Sequence, residues 1–574
     1  MYIVNFRRRA EAVFVIVLIF FIVCLTRLLY IQFFRADYLA SIAKKQHNLY
    51  IELEPRRGTI YDSNFKPQAV NLAFESVFAS PNDMTRAQKD AAELNLSAIL
   101  KMSAGNLRSK LSRKKSFVWI SRKISPEQAQ QIKDLQLKGV GFIKESKRCY
   151  PNGYLLSHVL GFAGLDNKGL EGVELCYDKY LKGQAGWAVM LRDARRKRLN
   201  VYDNSLMPKD GYDIVLTVDE VIQYIAEREL EAAFRKYHAK GASIVVMDPR
   251  TGAILAMANR PTFDPNDPTS RDKDIRRNRA ICDMFEPGSV FKIVTASAAL
   301  EERKVNEMTP FFCENGEYKI AGRILHDHTS HGTLTFREVI ELSSNIGTVK
   351  VAHLLGAEML YRYVKAFGFG TKSGIDIPGE ISGSMKPTRQ WSKTTITCVP
   401  MGQEVGVTAL QLVTAVSVVA NGGTLMKPYV IKEIRDKTGD MIKYTSPTAV
   451  RRVLDEDTAA RMKKILIGVV ENGTGKLAKL DGFTAAGKTG TAQKVEPGGR
   501  YSHSRFMASF IGFAPAEDPQ LAIAVTLDEP RGIYYGGVVA GPVFKNVAAD
   551  SLKYLRTKEY KDGALALYET ERAR

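Results

Sequence analysis

The sequence predicts an α+β core, a sheet with helices on its faces, carried on an N-terminal scaffold and tethered by one membrane helix. Three observations predict it. Ala12 to Thr26 is an almost unbroken apolar run that resumes after Arg27 through Leu28 to Phe34, longer in total than the roughly 20 residues that span a bilayer. Asp213 to Val218 reads as a strand, Asp219 to His238 as an amphipathic helix, and Ala242 to Asp248 with Ala253 to Ala258 as a hairpin turned at Pro249-Arg250-Thr251-Gly252. A helical run from Val290 to Leu300 follows, and strand runs return at Gly487, at Ser509 to Ala514 and at Leu521 to Leu527.

The 574 residues leave room for several cores, and a composition of 45% hydrophobic and 25% charged residues is that of a folded protein. Lys and Arg number 82 against 62 Asp and Glu, a net charge of +20 that suits a membrane, an acidic polymer or a nucleic acid. No nucleic-acid motif and no aromatic-basic repeat accompanies the charge, so nucleic acid is set aside. Arg7, Arg8 and Arg9 precede the apolar run, and the positive-inside rule then places residues 1–9 in the cytoplasm, a span at 10–33 and everything after Phe34 outside. No small-residue cleavage site follows directly, so the run reads as a retained anchor rather than a signal peptide. Arg27 lies near its outer end, where a charge either snorkels or meets a partner helix. Cys24 sits in the span and leaves Cys149, Cys176, Cys282, Cys313 and Cys398 outside, an odd number without paired spacing and no disulfide pattern.

Residues 34–205 read as a scaffold. Ser125-Pro126-Glu127-Gln128 is a helix start, with a capping serine, proline at the first position and Gln at the third. Val118 to Ile124 before it and Gly139 to Glu145 after it read as strands, and Arg195 to Arg198 as a solvated hairpin. His158, alone among apolar residues, reads as structural. The polar stretch Asn204 to Gly211 marks the boundary to a core at 206–557, and 558–574 is a short charged tail expected to be poorly ordered.

The chemistry gathers in three stretches. In Glu286-Pro287-Gly288-Ser289-Val290-Phe291-Lys292, a Pro-Gly turn delivers a serine to the start of a helix. Lys292 is three residues on and shares its face, so a neutral amine there could take the Ser289 proton, beside amides that favour developing negative charge. Ser-x-x-Lys alone is a weak signal that ordinary capped helices also give. Two further stretches strengthen it: Ser343-Ser344-Asn345, on a short turn between Val339-Ile340 and the helical run Thr348 to Leu355, and Lys488-Thr489-Gly490-Thr491 at a strand start. Along that strand a cation, hydroxyls and a glycine line one edge to which an extended peptide could add. A helix from Thr408 to Ala420 stops at Asn421-Gly422-Gly423.

This trio, in this order, resembles the motifs of penicillin-binding proteins and class A β-lactamases. Two scaffold segments narrow the resemblance to class B penicillin-binding proteins: Arg57-Gly58-Thr59-Ile60-Tyr61-Asp62, and Arg148 to Gly153 running on through Ser157 to Phe162 and Gly169 to Glu174. In that family the two segments pack together beneath the catalytic domain. The chain departs from the pattern at Ser63, where Arg is usual, and at Phe65, where Gly is usual, so the turn there is expected to differ. His326-Asp327-His328 and His331 have a spacing that zinc can use, but the family carries a variable loop before its Leu-Thr segment, matched here by Leu334-Thr335, and the loop reading is preferred. Phe506 to Pro515 is closer to the septal, division-specific branch than to the elongation branch, and no repeated small domain is seen after the core.

The resemblance implies a penicillin-binding, β-lactamase-like transpeptidase fold and a D,D-transpeptidase of septal cell-wall synthesis in the bacterial inner membrane. Ser289 would be the nucleophile, Lys292 its general base, Ser343 a proton relay helped by Lys488, and Asn345 a ligand of the substrate amide. Lys488, Thr489 and Thr491, with Gly490 between them, would hold the terminal carboxylate, and the amides of Ser289 and Thr491 would form the oxyanion hole. No metal, nucleotide or other cofactor is implied. Implied partners are peptidoglycan stem peptides on lipid-linked nascent glycan, a membrane-embedded glycan polymerase that Arg27 could contact, other division proteins, and β-lactams as inhibitors. An elongation-type transpeptidase and a catalytically idle β-lactam-binding scaffold are the alternatives. A β-lactamase is disfavoured, because no glutamate for a deacylating water can be assigned.

Overall fold

A computed structural model describes residues 2–115, 117–192, 198–267, 272–496 and 498–572. Most of the basic run expected as a solvated hairpin, Arg195 to Lys197, lies outside them. The chain divides into two compact units, residues 1–56 with 183–210, and residues 57–182 with 211–574.

In the first unit, helix α1 (Tyr2–Phe34) carries the apolar run, and by length and composition Phe6–Phe34 can cross a membrane. Its large apolar side chains are exposed along the whole run, as a lipid environment requires. The Arg27 guanidinium lies 5.5 Å from the centroid of the Tyr30 ring one turn on, an amphipathic pairing suited to an interfacial level. Asn48–Leu53, Gly186–Arg192 and Arg198–Leu206 complete this unit as an antiparallel sheet.

The second unit starts with strands β1 (Ile60–Tyr61), β2 (Pro67–Ala79), β3 (Val118–Ile124) and β4 (Val140–Cys149), with β3 and β4 both antiparallel to β2. Helix α2 (Pro126–Asp134) opens with the expected capping box, Ser125 and Gln128 each accepting from the other's backbone N–H. Strand β5 (Asp213–Leu216) pairs in parallel with β1. The two scaffold motifs meet at Glu174: Arg57 Nε donates to Oε2 at 2.6 Å and Arg148 Nε to Oε1 at 2.5 Å, while Arg148 Nη1 reaches Gly58 O at 2.7 Å. All three side chains are buried. Phe65 takes φ +61°, the left-handed conformation that glycine would adopt without strain, and its ring lies 5.1 Å from the Arg435 guanidinium.

Helix α3 (Glu220–Lys236) is capped by Asp219, whose Oδ1 accepts from Val221 N at 2.9 Å. Beyond it come β6 (Gly241–Met247), β7 (Ile254–Arg260), α4 (Lys292–Glu301), α5 (Asn345–Leu355), α6 (Ala409–Ala420), β8 (Ala486–Val495), β9 (Tyr501–Ala514), β10 (Leu521–Asp528) and α7 (Gly541–Arg572). The central sheet runs β7-β6-β10-β9-β8, every neighbour antiparallel. Alternation along β6 sends Val245 and Met247 into one core with α4 and α6, and Ile244 and Val246 into another with α3 and α7, so both faces of the sheet carry helices. Every residue of α6 is buried.

Two expectations change. The nucleophile helix begins as a 3-10 turn, Gly288–Phe291, with α4 proper starting at Lys292. The segment beyond Lys558 continues α7 to Arg572, because its Lys, Glu, Ala and Leu content is helix-forming and proline-free. The six cysteines are free, as expected.

Glu174 pairs with two buried guanidinium groups, so Glu174→Ala leaves Arg148 without a carboxylate and Arg57 with Asp178 alone. A loss of about 3–5 kcal/mol is expected in denaturant unfolding of the detergent-solubilised chain. A loss below about 1 kcal/mol would show that the pair is solvated in solution.

Candidate active site

Ser289 is half-buried in the 3-10 turn that feeds α4. The turn presses against β8, and two glycines make the approach possible. Gly288 has φ +58°, and a Cβ on Gly490 would fall 2.4 Å from Ser509 Oγ and 2.8 Å from Pro287 O. A side chain at 490 would therefore push β8 away from the serine.

Lys292, the first residue of α4, is fully buried, and its Nζ donates to Ser343 O at 2.6 Å and to Asn345 Oδ1 at 2.8 Å, with Ser343 Oγ at 3.3 Å. Lys488 on β8 is also fully buried and places its Nζ 2.9 Å from the same Ser343 Oγ. Ser343 thus stands between two amines. Among the described residues no acidic side chain lies within ion-pair distance of either. Burial pushes Lys292 down from 10.5 to about 7, with the Asp327 charge opposing it, and burial followed by the neighbouring Lys292 pushes Lys488 well down. A sizeable free-amine fraction at neutral pH results, which a general base needs. Among the described residues no hydrogen bond joins Lys292 to the Ser289 hydroxyl; in this conformation the amine is engaged by Ser343 and Asn345.

Ser343 holds φ +61°, strained for a residue with a side chain. Next to it, α5 starts at Asn345, earlier than the sequence reading placed it, and its first amides are all occupied. Ser344 Oγ accepts from Gly347 N at 2.9 Å, and Asp327 Oδ1 accepts from Asn345 N at 2.5 Å and Ile346 N at 3.0 Å. Asp327 Oδ2 takes the Ser344 hydroxyl at 2.6 Å, and Asn345 Nδ2 donates to His326 O at 3.0 Å. Sequence patterning assigns Asp327 no role of this kind. Its cap comes from far upstream, and only the lack of Glu or Gln at Gly347, the third helical position, hinted that a distant acceptor was needed.

Along β8, Thr489 Oγ1 lies 2.8 Å from Thr474 Oγ1, and Thr491 Oγ1 accepts from Gly536 N at 3.0 Å. The Thr491 carbonyl lies 3.1 Å from where a Cβ on Gly288 would be, so the serine turn and this strand are in backbone contact. Among the described residues no group of three or more His, Cys, Asp or Glu could hold a metal. Asp327 is committed to α5, and His328 sits 5.2 Å from the Tyr535 ring. His158 is buried, bonded to Ile275 O at 2.9 Å and pushed by burial to about 4, so it is neutral and structural.

Residues 242–549 match the penicillin-binding protein transpeptidase domain, and residues 52–216 the penicillin-binding protein dimerisation domain. The chain is 42% identical over 568 residues to Stage V sporulation protein D of Bacillus subtilis (strain 168), covering 97% of this chain and 88% of that one. It is 31% identical over 540 residues, 92% of this chain and 89% of the other, to the peptidoglycan D,D-transpeptidase FtsI of Escherichia coli (strain K12). The crystal structure of penicillin-binding protein 3 from Mycobacterium tuberculosis complexed with aztreonam superposes with a TM-score of 0.69 at 28% identity, covering 89% of this chain and 97% of that chain. Fold and site together define an enzyme of the penicillin-binding transpeptidase type. The chain belongs to the class B penicillin-binding proteins, in which that domain follows the dimerisation domain.

Burying Lys292 as an amine makes stability depend on pH. Its folded value is lowered, so between pH 7 and 10.5 the unfolded chain binds more protons and stability rises with pH, by up to about 1.4 kcal/mol per unit. Lys292→Met is therefore expected to gain on the wild type most at pH 6 and least at pH 10 in thermal unfolding. A pH-independent difference would contradict the buried-amine reading.

Proposed function

We propose that this chain is a peptidoglycan D,D-transpeptidase that works through a Ser289 acyl-enzyme. The observation carrying the reading is the convergence of Ser343 and Asn345 on the Lys292 amine, with the Lys488 amine on the Ser343 hydroxyl. Lys292 as free amine takes the Ser289 proton while Oγ attacks the carbonyl joining the two terminal D-alanines of a stem peptide. The amides of Ser289 and Thr491 stabilise the oxyanion, at on the order of 3 kcal/mol per donor. Ser343 relays that proton from Lys292 to the departing amine, with Lys488 behind it, so D-alanine leaves and Lys292 is a free amine again. The amine of a second stem peptide then takes the acyl group, Lys292 accepting its proton and returning it to Ser289 Oγ, and the cross-link forms as Ser289 is released. Asn345 binds the substrate amide, and Lys488, Thr489 and Thr491 receive the terminal carboxylate, with Gly490 letting the peptide lie close along β8. That carboxylate supplies the counter-charge that the buried lysine pair lacks.

The anchor holds the enzyme in the inner membrane with residues 1–9 in the cytoplasm and the catalytic domain outside, on the arginines before the apolar run and the positive-inside rule. Its substrates are stem peptides on lipid-linked nascent glycan, and the wall it builds is septal, a reading supported by the resemblance of Phe506 to Pro515 to the division branch. A second reading, synthesis of a specialised wall during sporulation, is favoured by the higher identity to Stage V sporulation protein D. A membrane-embedded glycan polymerase and other division proteins are the expected partners, with Arg27 on the anchor as a contact. β-Lactams, which imitate the D-alanyl dipeptide, acylate Ser289 as inhibitors.

A fluorescent penicillin followed over hours tests the chemistry. A persistent adduct on the wild type, absent from Ser289→Ala, supports the acyl-enzyme; rapid loss of label would indicate a β-lactamase, and no label on the wild type would leave an idle scaffold. The labelling rate is also expected to rise with pH through about 7 as Lys292 loses its proton, far below the 10.5 of a free lysine. A rate that is flat from pH 5 to 9 would remove Lys292 as the base.

A further inference from the structure

We infer that Asp327 is a positioning residue of the transpeptidase reaction: from outside the three sequence motifs, its carboxylate fixes Ser343 and Asn345 against the two lysines. The inference rests on the mechanism above. Asp327 follows directly on a β-hairpin, Glu317–Ile320 paired with Arg323–His326, and its own amide donates to Gly316 O at 3.1 Å. The carboxylate therefore issues from an anchored strand end, with three hydrogen bonds into the first turn of α5, to Ser344 Oγ, Asn345 N and Ile346 N. An anion there also meets the positive end of the helix.

Each of those donors flanks or belongs to a residue of the site. Asn345 carries the Oδ1 that accepts a hydrogen bond from Lys292 Nζ, and its Nδ2 donates to His326 O, so backbone and side chain of the same residue are both fixed by the 326–327 segment. Ser343 immediately precedes the anchored Ser344. Its left-handed backbone turns both its carbonyl and its hydroxyl toward Lys292, an arrangement that persists only if the neighbouring chain is held. The other titratable groups around Asp327 are Lys292 and Lys488 across the site, Cys313 beside Ser344 at 3.4 Å, His326 and His328 on its own segment, and Lys350 of α5, which is bonded to Glu314. Asp327 is the charge that opposes the lowering of Lys292.

The test is Asp327→Asn in the detergent-solubilised full chain, labelled with fluorescent penicillin across pH 5 to 9 beside the wild type and Ser344→Ala. Asp327→Asn is expected to lower the second-order labelling rate on the order of 100-fold per folded molecule. It should also move the acidic limb of the profile to lower pH, since the charge that kept Lys292 protonated is gone. Ser344→Ala, which removes one anchor bond and no charge, should slow labelling without moving the limb. Asp327→Asn with wild-type rate and limb, beside a labelled wild type, overturns the inference and leaves the Ser289 mechanism standing. A lower melting temperature with an unchanged rate and limb would make Asp327 a plain helix cap, which also overturns it. Should Asp327→Asn fail to fold, Asp327→Glu, which keeps the charge and displaces the carboxylate, must slow labelling with the limb retained, and a wild-type rate there refutes the inference. Absence of label on the wild type would refute the mechanism itself.

Discussion

Two lysine amines, both removed from water, share one serine hydroxyl, and no carboxylate stands beside either among the described residues. Fully desolvated ammonium groups in such proximity are too costly to keep, so the site lowers its charge instead: Lys292 falls to about 7 and Lys488 is pushed well down by burial and by Lys292. The scaffold must bear that arrangement without relaxing. Lys292 starts a helix packed against α5 and the helices Ala357–Ala366 and Glu456–Glu471, and Lys488 lies in β8, fixed by its register with β9. Neither backbone can shift to let water reach the amines without opening the core on that face of the sheet.

Charge is handled in the opposite way below. Arg57 and Arg148 are buried too, yet Glu174 divides its two oxygens between them and Asp178 accepts from Arg57 Nη1 at 2.6 Å. There the cations are neutralised by the protein, and the result is a joint between segments far apart in sequence. In the site no carboxylate plays that part among the described residues, and burial lowers both lysines instead.

Periodicity made the main elements legible. The strand, helix and hairpin of residues 213–260, the capping box at Ser125 and the stop after Ala420 stand within a few residues of where the pattern puts them, because each rests on local chemistry. Local chemistry also explains the misses. The tail beyond Lys558 is charged, which suggests solvation, but its residues favour helix and α7 simply continues. The motif residues were readable as types at spacings, and the structure brings Lys292, Ser343, Asn345 and Lys488 together. What spacing could not convey is that Ser343 takes a left-handed backbone, that Lys292 turns to Ser343 and Asn345, or that Asp327 closes the end of α5. Those depend on contacts made across the fold. At Phe65 the reverse occurs: a residue that the family pattern makes suspect takes up the very conformation a glycine would, so the strain sits in one φ angle while the hydrogen bonds around Asp62 form.

The commitments of Asp327 explain why Lys292 can lose its proton near neutral pH. A carboxylate free to pair directly with the amine would hold it protonated through neutral pH, as ion pairs raise a lysine. Asp327 is instead spent on two backbone amides and a hydroxyl at the head of α5. At that remove it opposes burial only in part, and Lys292 settles near 7 rather than near 10.5 or far below it. One side chain thereby does two compatible things: its hydrogen bonds set where Ser343 and Asn345 stand, and because those bonds occupy it, its charge trims the lysine without quenching it. Position and protonation in this site are consequently not independent, since any movement that freed Asp327 from α5 would both loosen the Ser343 turn and restore a proton to the amine beside it.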